Sequence, residues 1–155
     1  MKQKLLLFFC VLLSSAFIFG QTKSKTAAKQ TVPELTKLLS GCGLPYKMVN
    51  DTLAAIPYEG ENITDYNVVI QKMGDLYIVY TNLTDALPGK INESKYKYLL
   101  QKNDFYDVVK IGMSADDGAV YLRADIYKVA LTAALFKRVI TQVANVTNII
   151  GGELK

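Results

Sequence analysis

The chain has 155 residues, a net charge of +4, ten tyrosines and no histidine. The absence of histidine excludes Ser-His-Asp and Cys-His catalysis and most zinc and copper sites. Five of the lysines lie within the first 30 residues, so the remainder carries a charge of about −1. Because nucleic-acid binding needs a basic patch on the folded part, no nucleic-acid partner is expected.

The N-terminus has the three parts of a secretory signal peptide. Lys2 and Lys4 supply positive charge, residues 5–19 are almost entirely apolar, and Gly20 is a small residue at the expected cleavage point. The apolar run is shorter than the roughly 20 residues of a membrane span. We therefore predict a signal peptide over 1–20, no stable membrane anchor after cleavage, and a periplasmic or secreted location in a Gram-negative bacterium. An uncleaved N-terminal anchor is the alternative.

Residues 21–31 are polar and have no aromatic or apolar β-branched side chain. Such a composition cannot bury a core, which indicates a flexible linker. The chain that follows, 32–152, has a length typical of one domain. We predict a single α+β domain there.

The domain begins with a short helix. Pro33 suits a first helical position, and glycines at 41 and 43 end the apolar helical pattern. Two strands are predicted next, over 46–49 and 53–58. Pro57 lacks a backbone N–H, so it predicts that the second of these lies at a sheet edge.

A hairpin follows, because two β-rich runs, 66–73 and 76–80, are joined by Gly74-Asp75. The second run is apolar on both alternating faces, which predicts a central strand. Residues 84–92 contain Pro88-Gly89 and are predicted to be a loop.

The C-terminal half contains a helix, a second hairpin and a long helix. Residues 93–103 have a one-sided helical pattern, and strands are predicted over 107–114 and 119–127 around Asp116-Asp117-Gly118. The stretch 130–150 repeats apolar residues at steps of four and three, and Gly151-Gly152 is predicted to end it. The order α-ββ-ββ-α-ββ-α indicates an antiparallel sheet with helices packed on it.

The sequence contains no catalytic, cofactor-binding or metal-binding constellation, so we predict neither an enzyme nor a cofactor. The carboxylates of 59–65 and of 104–107 lie in polar connections, where such groups are normally solvated. Cys42 is the one cysteine of the predicted mature chain and is expected to fill space beneath a helix end.

Tyrosine is the unusual residue type of this chain. On a sheet with one open face, tyrosines form a surface that suits another polypeptide. The alternative, which we favour, is that the rings pair across strands and cover the edges of the helices. The two roles are compatible, and the candidate partner-binding residues are Tyr66, Tyr77, Tyr80 and Tyr121.

The C-terminal half resembles the YbjN family, which shares the fold of the type III secretion chaperones. The resemblance is carried by Tyr106–Met113, by Asp116-Asp117-Gly118, by Val120–Asp125 and by the long terminal helix. It implies a binding module rather than an enzyme, since secretion chaperones of this fold are usually dimers that wrap an extended segment of their cargo.

These observations lead to one main hypothesis and two alternatives. The main hypothesis is an exported, chaperone-like module that binds a polypeptide partner or forms a homodimer. The first alternative is a small-ligand carrier or hydrolase with a pocket on a curved sheet, near Tyr77, Tyr80 or Tyr121. The second is an inhibitor of an envelope enzyme, with loop 58–65 as its contact.

Overall fold

The structure is a computed structural model, and it describes residues 32–87 and 91–155. The predicted signal peptide and linker lie outside these residues. Four α-helices are present in this part of the chain: α1 (Glu34–Cys42), α2 (Leu83–Ala86), α3 (Glu93–Phe105) and α4 (Ala133–Glu153), and a 3-10 turn (Lys128–Ala130) precedes α4. The strands are β1 (Lys47–Asn50), β2 (Leu53–Tyr58), β3 (Tyr66–Met73), β4 (Leu76–Asn82), β5 (Lys110–Met113) and β6 (Val120–Tyr127).

All six strands form one antiparallel sheet in the order β1-β2-β3-β4-β6-β5. The prediction that the run after Gly74-Asp75 is central is confirmed, because β4 lies between β3 and β6. The prediction that β2 is an edge strand is wrong, because β1 covers it. Strand β1 pairs only as far as Ala55, so Pro57 lies beyond its end and leaves no cross-strand bond unmade.

One face of the sheet carries the helices. The apolar stripe of α4 packs there, and the side chains of Phe136, Val143 and Ile150 are completely buried. They meet the alternate residues of the central strands, such as Val79 and Leu122, which are also completely buried. The predicted amphipathic helix and the α+β fold class are therefore confirmed.

Helix α4 is longer than predicted. It passes through Gly151 and Gly152 and ends at Glu153. A side chain at Gly151 would meet Ile63, because a Cβ there would lie 2.4 Å from that side chain. These glycines therefore allow the loop between β2 and β3 to approach the helix, and tertiary packing outweighs their tendency to end a helix.

Two further boundaries differ from the predictions. Part of the predicted loop 84–92 forms the short helix α2, because the Asn82 side chain accepts a bond from the Thr84 N–H at 3.1 Å. Strand β5 begins at Lys110 rather than at 107. The apolar side of α3 is also only slightly buried, since Leu99 is its buried residue while Leu100 is 72% exposed.

Candidate partner-binding surfaces

The structure divides the four candidate tyrosines between the two faces of the sheet. Tyr66 and Tyr77 lie on the helix-covered face and are 8% and 1% exposed. Tyr80 and Tyr121 lie on the opposite face and are partly exposed. The period of two along a strand explains this division, because Tyr80 comes three positions after Tyr77 on β4, and an odd step changes the face.

Tyr66 and Tyr77 are part of the core. The Tyr66 hydroxyl donates to the carbonyl of Ala144 on α4 at 3.0 Å, and its ring stacks on Tyr58 with centroids 5.9 Å apart. The Tyr77 ring packs on Phe136 at 5.2 Å. Burial raises the pKa of both phenols. A partner cannot lie on these rings in this structure, so their role here is to join the sheet to α4.

Tyr80 and Tyr121 lie on the side of the sheet that no helix of residues 32–87 and 91–155 covers, which we call the open face. Tyr80 pairs with Arg123 on β6, whose guanidinium binds the Asp125 carboxylate at 2.6 Å and 2.9 Å. The Tyr121 ring covers Gly112 on β5, where a Cβ would lie 2.5 Å from the ring. The open face thus offers two aromatic rings beside a fixed ion pair.

A second surface lies at the β5 end of the sheet, where α3 runs beside the strand. Between them is an apolar groove of about 470 Å³ that we call the edge groove. Leu100 and Met113 project from its two walls and are 72% and 58% exposed. The residues that line the groove are Tyr96, Leu99, Leu100, Ile111, Gly112, Met113 and Val120.

More apolar surface follows along α3 and the loop after it. Phe105 is 75% exposed, and its ring meets Tyr106 edge-on at 5.3 Å. Val108, in the loop before β5, is 43% exposed. Single exposed apolar residues are common, but several on one helix and its neighbouring strand mark an interaction site. The one-sided helical pattern of 93–103 predicts an apolar side for α3 but gives no sign that part of that side stays uncovered.

The backbone of β5 is only partly available for pairing with another strand. The Asn103 side chain accepts a bond from the Ile111 N–H at 2.9 Å. The Lys110 ammonium turns back and donates to the Tyr106 carbonyl at 2.7 Å. The loop and the end of α3 therefore close the first half of this edge, and the apolar side chains of the groove are what it offers to a partner.

The loop between β2 and β3, the contact of the inhibitor hypothesis, is held against α4. Asn148 Oδ1 accepts bonds from the N–H groups of Asn62 and Ile63 at 2.9 Å and 3.2 Å. Gly60 also donates to the Ile63 carbonyl at 2.9 Å. Ile63 is 4% exposed, so the middle of this loop serves packing.

No group of three or more potential metal-ligating side chains occurs in residues 32–87 and 91–155. Cys42 is buried, and its Sγ lies 3.3 Å from the Leu38 carbonyl and 3.4 Å from the Ala133 carbonyl. Burial raises the pKa of this thiol, which disfavours the reactive thiolate. The cysteine lies beneath a helix end, as its sequence position predicts.

No family model and no curated protein matches the sequence. Solved structures do match. The ExoU–SpcU heterodimeric complex of the Pseudomonas aeruginosa type III secretion system matches at TM-score 0.54 and 16% identity, over 77% of this chain and 96% of that chain. The HopA1–SchA chaperone–effector complex matches at TM-score 0.55 and 12% identity, over 73% and 89%.

A third match is YbjN, a putative transcription regulator from E. coli, at TM-score 0.53 and 12% identity, over 79% of this chain and 89% of that chain. The chain has the YbjN and type III secretion chaperone-like fold. The resemblance drawn from the C-terminal half of the sequence is therefore confirmed at the level of the fold.

The predicted periplasmic or secreted location is wrong. The structures that share the fold include type III secretion chaperones, which are cytoplasmic. That prediction depended wholly on residues 1–20, outside the described ranges, while the comparison depends on the folded domain. Among the residues that the structure describes, no helix has both the length and the apolar character to cross a membrane.

Proposed function

We propose that this chain is a non-enzymatic module that binds polypeptides and works as a homodimer joined through the edge groove. The observation that carries the proposal is the groove itself, with Leu100 and Met113 projecting from its walls at 72% and 58% exposure. Apolar side chains so exposed, on a helix and a strand that face the same groove, gain free energy when another apolar surface covers them.

The groove suits a protein better than a small ligand. Small-molecule sites enclose their ligand and place a few converging polar groups around it. The side chains that line this groove are apolar apart from the Tyr96 hydroxyl, and no charged residue is among them. An apolar centre with charged residues around it, such as Lys97 and Lys110, is the usual anatomy of a protein–protein interface.

A second copy of the chain is the occupant that fits. The surface carries both a groove and side chains that project beside it, and a two-fold axis would place Leu100 and Met113 of each copy against the groove of the other. An isologous contact of this kind needs complementary features on one surface, and α3 with β5 supplies them. It also leaves the open face free on both copies.

The open face is then the surface for a partner polypeptide. Tyr80 and Tyr121 remain accessible there, and the Arg123–Asp125 ion pair adds a polar group of fixed geometry. Related structures support such a role, because the SchA fold is found in a chaperone–effector complex and the SpcU fold in a heterodimeric complex with ExoU. The homodimer and the partner site would thus occupy different parts of the sheet.

Light scattering coupled to size-exclusion chromatography of the full-length protein tests the proposal. The wild type should have the mass of two chains, and Leu100→Glu should have the mass of one folded chain with an unchanged far-UV circular dichroism spectrum, since the side chain is 72% exposed within one chain. Leu135→Glu places the same charge on α4, at a side chain 41% exposed, and should remain a dimer. A monomeric wild type, or a dimer that survives Leu100→Glu, would refute the homodimer.

A further inference from the structure

A small cavity lies between α1 and the beginning of α4, away from both surfaces described above. Its volume is about 300 Å³, and we call it the α1 pocket. One wall is apolar and the other carries charged and hydroxyl groups. Its lining residues are Glu34, Lys37, Leu38, Tyr77, Lys128, Leu131 and Ala133.

The polar wall contains more hydrogen-bond donors than acceptors. Glu34 is its one carboxylate, and Glu34 Oε2 lies 2.6 Å from the Lys72 Nζ and 3.6 Å from the Lys128 Nζ. Because 3.6 Å is too long for a hydrogen bond, Lys128 is held to Glu34 by charge alone. The Tyr77 hydroxyl is buried beside the Glu34 carboxylate, but it makes no hydrogen bond of normal geometry to Glu34 or to any other group in the described part of the chain.

The same wall has an excess of positive charge. Lys37 and Lys128 line the pocket together with the single carboxylate of Glu34, which leaves a local charge of about +1, and Lys72, which does not line the pocket, pairs with Glu34. The side chains of Lys72 and Lys128 are only 28% and 21% exposed, so solvent screens them less than ordinary surface lysines.

Tyr77 adds a neutral donor to this charge. Burial, and then the nearby charge of Glu34, raise its pKa to about 12, so the hydroxyl keeps its proton at neutral pH. Buried donors without partners are rare in folded proteins, and each one calls for an explanation. A ligand acceptor would supply the missing partner.

We propose that the α1 pocket, on the helix-covered side of the sheet, binds a carboxylate from a segment of the partner polypeptide that extends past the open face, either an acidic side chain or a C-terminus; this rests on the proposed function. Lys128 and Lys37 donate to the carboxylate oxygens, and the aliphatic stem of the ligand residue lies on Leu38 and Leu131. The Glu34 side chain is 53% exposed and occupies part of this place in the free protein. It turns toward solvent when the ligand enters, which brings the Tyr77 hydroxyl within reach.

Two-dimensional amide NMR of the full-length protein tests this with three five-residue peptides. The first is acetyl-Ala-Leu-Glu-Leu-Ala-amide, the second has Gln in place of Glu, and the third is the Gln peptide with a free C-terminal carboxylate. The Glu peptide should shift the amide signals of the pocket residues, and the Gln amide should not. A response to the third peptide would identify a C-terminal carboxylate as the better ligand.

Opposite effects of two charge changes separate a binding site from a merely structural cluster. Lys128→Gln should weaken binding of the carboxylate peptide by about tenfold, because a hydrogen bond to a charged group is lost. Glu34→Gln should strengthen it severalfold, because the competing carboxylate is gone. Tyr77→Phe keeps the packing on Phe136 and should weaken binding, and Lys97→Gln, on α3, should have no effect.

Equal binding of the Glu peptide and its Gln amide, or weaker binding in Glu34→Gln, would overturn the proposal. Failure here is distinguishable from failure of the proposed function. If the Leu100→Glu variant is monomeric while no carboxylate peptide binds, the homodimer stands and the carboxylate pocket is refuted. If the wild type is monomeric while the Glu peptide binds, the homodimer is refuted and the carboxylate pocket stands.

Discussion

The two ends of the sheet are built differently, although each ends in a strand of four residues. At one end, β1 has an irregular register between Met48 and Asn50, and Lys47 lies on its exposed side. At the other end, β5 pairs with β6 in regular register and borders the edge groove. Bulges and lysines are the usual means by which an outer strand avoids pairing with another chain.

The β5 end prevents strand addition by other means. The Asn103 side chain accepts a hydrogen bond from the Ile111 N–H, and the Lys110 ammonium donates one to the Tyr106 carbonyl. These contacts satisfy part of the backbone but leave Leu100 and Met113 uncovered. An edge can thus be closed to backbone pairing and still present an apolar surface, so we propose that side chains form the interface.

The largest expected effect comes from placing a charge at each end. Met113→Lys should convert the proposed dimer to a monomer, because the ammonium would have to lose its water inside an apolar interface. Val49→Lys makes the same kind of change on β1, at a side chain 60% exposed, and should leave the dimer intact. Sedimentation equilibrium of the two full-length variants measures both. If Val49→Lys dissociates the dimer and Met113→Lys does not, the interface lies at the β1 end of the sheet and our proposal is wrong.

The next effect concerns the backbone beneath Tyr121. Gly112→Ala should lower the free energy of unfolding by about 2 kcal/mol, because the added Cβ displaces the Tyr121 ring. Val49→Ala removes exposed side-chain atoms from β1 and should change the free energy of unfolding by less than about 0.5 kcal/mol. Urea unfolding gives both values. Equal effects would show that the ring moves away from Gly112 at no cost.

Each end also has an asparagine that bonds to the backbone. Asn103→Ala should cost about 1 kcal/mol, because the Ile111 N–H loses its acceptor. Asn50 accepts from the Thr52 N–H at 2.8 Å in the turn after β1, and Asn50→Ala should cost a similar amount. Asn67 is exposed on β3, and Asn67→Ala is a matched control with little expected change. Thermal unfolding measures the stability of the three variants. A loss of stability in Asn67→Ala as large as in the other two would contradict this prediction.

The smallest effect is a pH dependence beneath the middle of the sheet, where Glu34 of α1 pairs with Lys72 of β3. The hydrogen bond from Lys72 lowers the pKa of Glu34 below its ordinary value of 4.5. Its stabilisation is therefore fully present above that value and is lost as the pH falls through the lowered pKa. Glu34→Gln should cost less than about 1 kcal/mol at neutral pH, since the carboxylate is half exposed, and nothing in strong acid. A difference in thermal midpoint that persists in acid would contradict this assignment.

Local sequence signals determined most of the elements. The Gly74-Asp75 and Asp116-Asp117-Gly118 turns fix two hairpins, because positive φ at Gly74 and Gly118 favours glycine. The apolar stripe of 130–150 fixed the long helix, and the all-round apolar character of 76–80 fixed the central strand. From these the α+β class and the resemblance to the secretion-chaperone fold followed.

Only the tertiary structure decided where these elements meet. Pro57 is tolerated in an inner strand because β1 ends before it, and Gly151 continues a helix because Ile63 packs beneath it. Of the four candidate tyrosines, two lie in the core and two lie on the open face, because successive side chains of a strand point to opposite faces of the sheet. The pattern of α3 could not reveal that Leu100 stays exposed, because a helical period records which residues share a face and says nothing of how much of that face a neighbour covers.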